Sequence, residues 1–136
     1  MKISISASVN SDLDTVWACW NNPADIKQWN AASDDWHTTD STVDLRVGGK
    51  FSSRMEAKDG STGFDFEGVY TKIIEKELIE YVMDDGRSVS IEFVEAEGAV
   101  KVTETFDAEG EHTPEQQRQE WQSILNNFAK HVESKV

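Results

Sequence analysis

The chain of 136 residues carries 26 acidic against 13 basic side chains, a formal charge of −13. That balance repels phosphate backbones and anionic lipid surfaces, so it argues against nucleic-acid and membrane partners and suits a soluble, monomeric, cytoplasmic protein. The length fits one domain over residues 1–136 that folds without a disulfide or structural metal, and no apolar run approaches the roughly 18 residues of a membrane span.

The first segment, "KISISASV", alternates Ile3, Ile5, Ala7 and Val9 with Ser4, Ser6 and Ser8, which predicts a half-buried strand. No basic region followed by a sustained apolar run precedes it, so no signal peptide is expected. "SDLDTVWACW" predicts a helix with Ser11 as N-cap and Asp14 in the first turn. Cys19, the single cysteine, lies between Trp17 and Trp20 in this pattern and reads as a small buried hydrophobe. "NPADIKQW" predicts a second short helix after a kink at Asn21–Pro23, with Asn22 as cap and Pro23 at the first helical position.

The stretch "QWNAASDDWHTTD", Gln28 to Asp40, reads as a polar loop leaving that helix, with Trp29 and Trp36 anchored as an aromatic rim. Asp34, Asp35, His37 and Asp40 are hard-ligand types, but the other histidines, His112 and His131, lie far along the chain, so no metal is expected here. Ser33 and His37 stand four apart without the surroundings of a nucleophile elbow.

After Asp40 the pattern becomes β. Strands are predicted at "VDLRV", "KFSSRMEA", "FDFEGVYTKI", "LIEYVM", "SVSIEFV" and "VKVTETF", joined by short turns in an antiparallel meander. Gly48-Gly49 reads as a turn or bulge, since no Gly-Lys-Ser/Thr follows. Glu104 breaks its strand: Val100, Val102 and Phe106 share its face. Either a bulge or twist carries it to solvent, or a carboxyl points inward. The last segment predicts a long helix. Thr113 caps it, Pro114 starts it, Gln116 completes a capping box, and Trp121, Ile124, Leu125, Phe128 and Val132 share one face. The order β-αα-β(six)-α is an α+β domain, and five Trp, six Phe and two Tyr are available for the inner face of a sheet that one helix only partly covers.

"VWACWNNPADIKQW" resembles the opening of the START-like superfamily, also called helix-grip or SRPBCC. "DLRVGGKFSSRMEAKDG" and "GFDFEGVYTKI" resemble the branch named for the activator of heat-shock-protein-90 ATPase. "EWQSILNNFAKHVE" resembles that branch's closing helix, which usually has Gly-Trp where this chain has Glu120-Trp121. The likeness runs from about Ile3 to Val132. It implies a helix-grip fold, a curved antiparallel sheet of six to seven strands wrapped around the long C-terminal helix, with two short helices after strand one. It also implies a deep pocket between sheet and helix that often holds an apolar molecule.

On that fold the cavity-facing residues are expected to be Trp17, Trp29, Trp36, Phe51, Met55, Phe64, Phe66, Tyr70, Val89, Ile91, Phe93, Glu104, Trp121, Leu125 and Phe128. Three functions are open. The leading one is binding of an apolar small molecule. The second is a chaperone- or stress-linked interaction module using an outer face, although nothing in the chain resembles the eukaryotic activator's separate N-terminal chaperone-binding domain. The third is an enzyme such as a cyclase or hydrolase. No catalytic constellation is visible, and no cofactor or metal is expected.

Overall fold

The computed structural model describes residues 1–135. Seven strands form one antiparallel sheet: β1 (Lys2–Val9), β2 (Trp36–Val43), β3 (Lys50–Ala57), β4 (Gly63–Ile74), β5 (Leu78–Met83), β6 (Ser88–Ala96) and β7 (Ala99–Asp107). Their order is β1-β7-β6-β5-β4-β3-β2. Each strand from β2 to β7 thus pairs with the next in sequence, while β1 closes the far edge against β7. Two short helices, α1 (Leu13–Asn21) and α2 (Pro23–Trp29), carry the chain from that edge to β2 at the opposite one. The long helix α3 (Pro114–Glu133) packs on the sheet's inner face.

Local chemistry explains the helix ends. Asn22 accepts from the Ala24 N–H at 3.0 Å and Pro23 follows, as expected. The Thr113 hydroxyl accepts from the Gln116 N–H and the Gln116 side chain accepts from the Thr113 N–H, both at 3.1 Å, completing the capping box. The cap of α1 differs from the sequence reading by one residue. Asp12, not Ser11, accepts from the Thr15 N–H at 2.7 Å, and Ser11 instead donates its N–H to the Val9 carbonyl.

Two strand boundaries also differ. β2 begins at Trp36 rather than after Asp40. Its sequence, WHTTDSTV, buries Thr38 and Ser41 rather than an apolar stripe, so alternation does not announce it. Its register also shifts between Thr38 and Asp40. At the other end "VDLRV" is strand only as far as Val43. Asp44 to Gly49 form a turn in which the Gly49 N–H reaches the Arg46 carbonyl, and Leu45 and Val47 are exposed. Gly48 takes φ +85°, and a Cβ on Gly49 would lie 2.2 Å from the Asp44 carbonyl oxygen, so both positions require glycine. The turn is tied to β4: the Gly48 N–H donates to the Tyr70 carbonyl and the Tyr70 N–H to the Gly49 carbonyl.

α3 runs closest to β1. Arg118 donates to the Ser4 carbonyl at 2.7 Å and Gln122 to the Ser6 carbonyl at 3.0 Å, which covers the outer carbonyls of an edge strand and holds the helix to that side of the sheet. The C-terminal half of α3 is packed down: Leu125, Phe128 and Val132 are fully buried, with Val16 and Trp17 of α1 in the same core. The N-terminal half faces β3 to β5 across open space.

Candidate functional site

That space is a cavity of about 850 Å³. Strand register explains its floor. Tyr70 on β4 stands opposite Tyr81 on β5, Tyr81 opposite Val89 on β6, and Val89 opposite Phe106 on β7, so one row across the sheet is largely aromatic. Phe51 on β3 is paired with Gly68 on β4. The missing side chain at Gly68 is where the Phe51 and Tyr81 rings meet, edge to face at 4.6 Å. The helix side of the cavity is headed by Trp121, stacked on Phe106 with centroids 4.0 Å apart and edge-on to Phe66 at 6.2 Å. At the open end Trp36 lies 5.8 Å from Phe64, whose side chain is 48% exposed.

A Cβ on Gly68 would lie 2.6 Å from Phe51 Cε2 and 2.9 Å from Tyr81 Cδ1. Gly68→Ala is therefore expected to cost about 1–3 kcal/mol through overpacking. Denaturant midpoints and the ring proton shifts of Phe51 and Tyr81 test this. An unchanged midpoint with unmoved ring resonances would show that the two rings do not close over Gly68.

Of the fifteen residues expected at the cavity, nine line it: Trp29, Trp36, Phe51, Met55, Phe64, Phe66, Tyr70, Glu104 and Trp121. Six do not. Trp17 and Phe93 pack edge to face at 5.2 Å beneath α1. Val89 lies between the longer Tyr81 and Phe106, and Ile91 between Ile79 and Glu104, so neither reaches open space. Leu125 and Phe128 lie in the packed half of α3, where Phe128 is wedged against Trp20 and Trp29. Periodicity places all six on inner faces correctly, but only the crossing of α3 over the sheet divides core from cavity.

Sequence reasoning missed Tyr81, Trp20, Ile79 and Gln117 at this cavity. The alternation of "LIEYVM" could have found Ile79 and Tyr81. Gln117 is a polar residue within the apolar stripe of α3, 3% exposed. Its amide accepts from the Glu109 N–H at 2.8 Å and donates to the His112 carbonyl at 2.8 Å, which holds the segment before α3 in place as part of the rim. On that segment Glu109 and His112 pair at 2.7 Å, which raises the imidazole's pKa and lowers the carboxyl's.

Glu104 is the exceptional group. β7 keeps unbroken register with both β1 and β6, so no bulge rotates it outward. Ile5, Ile91, Ile79 and Ile73 complete its row across the sheet. The residue is 6% exposed and its carboxyl opens onto the cavity. Among the described residues nothing donates a hydrogen bond to it. Arg54 is held by Glu56 and Asp65, and Arg87 by Asp85 at 2.6 Å. Burial in this apolar row pushes the Glu104 pKa up to about 8. Tyr81 is also raised, first by its own burial and then by the negative charge of a nearby Glu104.

The opening aspartates and histidine do not converge. Ser33 donates to Asp35 at 2.6 Å rather than facing His37, and His37 sits within β2 opposite Glu56. Three possible metal ligands approach one another elsewhere, at Cys19, Asp25 and His131 and at Glu109, Glu111 and His112. In the first group Asp25 is already engaged by His131 at 2.9 Å and by Lys135 at 3.0 Å, which ties α2 to the end of α3. The Cys19 thiol there is raised by burial and then by Asp25, in keeping with a buried hydrophobe rather than a thiolate ligand.

The family model described as "Activator of Hsp90 ATPase homolog 1-like protein" matches residues 10–133. The chain belongs to this family. The fold is the helix-grip arrangement of the START-like superfamily, as the resemblance in sequence implied. The solution structure of an AHSA1-like protein from Aeromonas hydrophila is 52% identical and superposes with a TM-score of 0.93, covering 99% of this chain and 94% of that one. A protein from Cytophaga hutchinsonii is 41% identical with a TM-score of 0.85, covering 98% and 93%. A protein from Chromobacterium violaceum shares the fold at 19% identity, with a TM-score of 0.86 and 98% of each chain covered. No curated protein matches the chain. Among the described residues no helix is long and apolar enough to cross a membrane.

Proposed function

We propose that the protein binds an apolar small molecule in the cavity between the sheet and the first half of α3. The observation that carries this reading is the cavity itself. Its volume of about 850 Å³ lies within the range of small-molecule sites, and nine aromatic side chains line it together with polar ones such as Ser53, Glu104, Gln117 and Glu120. A close-packed interior leaves no voids of this size. An aromatic-lined space of this size therefore gains apolar contact area when a ligand enters it. The unpaired, buried Cys19 accords with a reducing compartment such as the cytoplasm.

Four tryptophans line the cavity, Trp20, Trp29, Trp36 and Trp121. Titration with a panel of flat and aliphatic apolar compounds is expected to quench or shift tryptophan emission saturably. If no compound perturbs the emission, the reading is wrong. The family's description supports a second reading, activation of a chaperone ATPase through an outer face of the sheet or helix. An apolar molecule retained by the purified protein favours the first reading, and saturable stimulation of the ATPase the second.

A further inference from the structure

We propose that the ligand of this cavity is an apolar amine, whose ammonium group is received by the Glu104 carboxylate while the aromatic walls hold its hydrocarbon part. This rests on the small-molecule reading above and specifies its chemistry. Glu104 is a carboxyl in a row of isoleucines, open to the cavity and without a donor or cation from the protein. A buried carboxylate is stable only when paired, and the space in front of this one is the space a ligand fills.

Three further features select a cation over an anion. The rings of Phe51, Phe66, Tyr81 and Trp121 present π-systems that attract ammonium groups. The two basic groups at the rim are occupied, Arg87 by Asp85 and His112 by Glu109, so neither is free for an acidic ligand. The protein's charge of −13, with Glu109 and Glu120 beside the opening, concentrates cations and repels anions.

The titratable and charged groups lining the cavity are Tyr70 on β4, Tyr81 on β5, Arg87 from the β5–β6 turn, Glu104 on β7, Glu109 and His112 before α3, and Glu120 on α3. Burial holds both phenols neutral through the physiological range. Of the lining groups, Glu104 gains its charge as pH rises toward about 8, and His112 has its pKa displaced upward by its bond to Glu109. Without ligand Glu104 is largely protonated at neutral pH. Ammonium binding expels that proton into solvent, so amine affinity rises with pH up to the carboxyl's own pKa.

The test compares 4-phenylbutylamine, 4-phenylbutanol and 4-phenylbutanoate, which share one apolar body, by chemical-shift titration of wild type and Glu104→Gln. At about pH 8 wild type is expected to bind the amine about ten-fold more tightly than the alcohol, and the acid most weakly. Amine affinity should rise by up to roughly fifty-fold from about pH 6 to pH 8, while alcohol affinity stays level. In Glu104→Gln the amine should lose both its advantage and its pH dependence, while the alcohol still binds. The His112–Glu109 pair is intact in that variant, so a surviving pH dependence would assign the effect to the rim and overturn the proposal. Equal binding of amine and alcohol, or preference for the alcohol or the acid, would overturn the ammonium site and leave small-molecule binding standing. If none of the three compounds moves a cavity resonance, both readings fail.

Discussion

Phe128→Ala is expected to destabilise the protein by about 3–5 kcal/mol, the range for deleting a fully buried aromatic side chain. Phe128 on α3 meets Trp20 on α1 at 4.9 Å and Trp29 on α2 at 5.0 Å, both edge to face. Trp20 and Trp29 are themselves 5.1 Å apart, so three helices meet on one ring. Trp29 cannot rotate to fill the gap without losing the hydrogen bond from its indole N–H to the Cys19 carbonyl. Both tryptophans also line the cavity, so the deletion would enlarge an existing void rather than create an isolated one. Trp121→Ala provides the contrast. Trp121 is half-buried, stacks on Phe106 and faces the cavity, so its removal should cost less stability than Phe128→Ala and more ligand affinity. Denaturant midpoints for both variants, with ligand titrations alongside, measure the two effects. Equal losses of stability would show that the two halves of α3 are packed alike, contrary to the division between core and cavity described above.

That division marks how far the sequence reaches. α3 was legible to the residue at its start because Thr113, Pro114 and Gln116 act through local hydrogen bonds that any helix of this sequence would make. β3 and β5 were legible because buried positions alternate with partly buried ones along β5 and along β3 from Ser53. β2 was not, because an edge strand that buries Thr38 and Ser41 has no apolar period, and its pairing comes from β3 rather than from its own residues. The turn from Asp44 to Gly49 was misread for the opposite reason. Val43, Leu45 and Val47 alternate as a strand would, but only Val43 packs against the core. The site was half legible in the same sense. Phe51, Phe66, Tyr70 and Trp121 are large groups on inward faces, whereas Phe93 and Phe128 are also large and equally inward. What separates them is the path of α3, held to β1 by Arg118 and Gln122, and no local pattern encodes that path.

Glu104 was legible as an anomaly, and its position leads to the second expected result. Glu104→Gln should stabilise the protein at neutral pH by on the order of 3 kcal/mol and have little effect below about pH 4.5. The sign follows from proton binding. Burial raises the folded-state pKa from 4.5 to about 8. Below about pH 4.5 the carboxyl is protonated in both states and contributes no pH dependence. As pH rises from there the unfolded chain releases its proton while the folded chain retains it, so stability falls by about 1.4 kcal/mol per pH unit. Above about pH 8 both forms are ionised, the slope ends, and the full penalty remains. Glutamine occupies nearly the same volume and never ionises, so the variant should lack this decline. The positive charges nearest to hand do not alter the sign, because Arg54 and Arg87 are each held by their own carboxylates on the outer side and at the rim. Denaturant midpoints of wild type and variant across pH 4 to 9, taken without ligand, give the difference curve. A flat difference within about 0.5 kcal/mol would place Glu104 in solvent, and a variant less stable at neutral pH would mean that the carboxylate is paired. Saturating amine should abolish the wild type's decline above about pH 6, because the bound ammonium makes the ionised carboxylate the favoured form where burial alone penalises it.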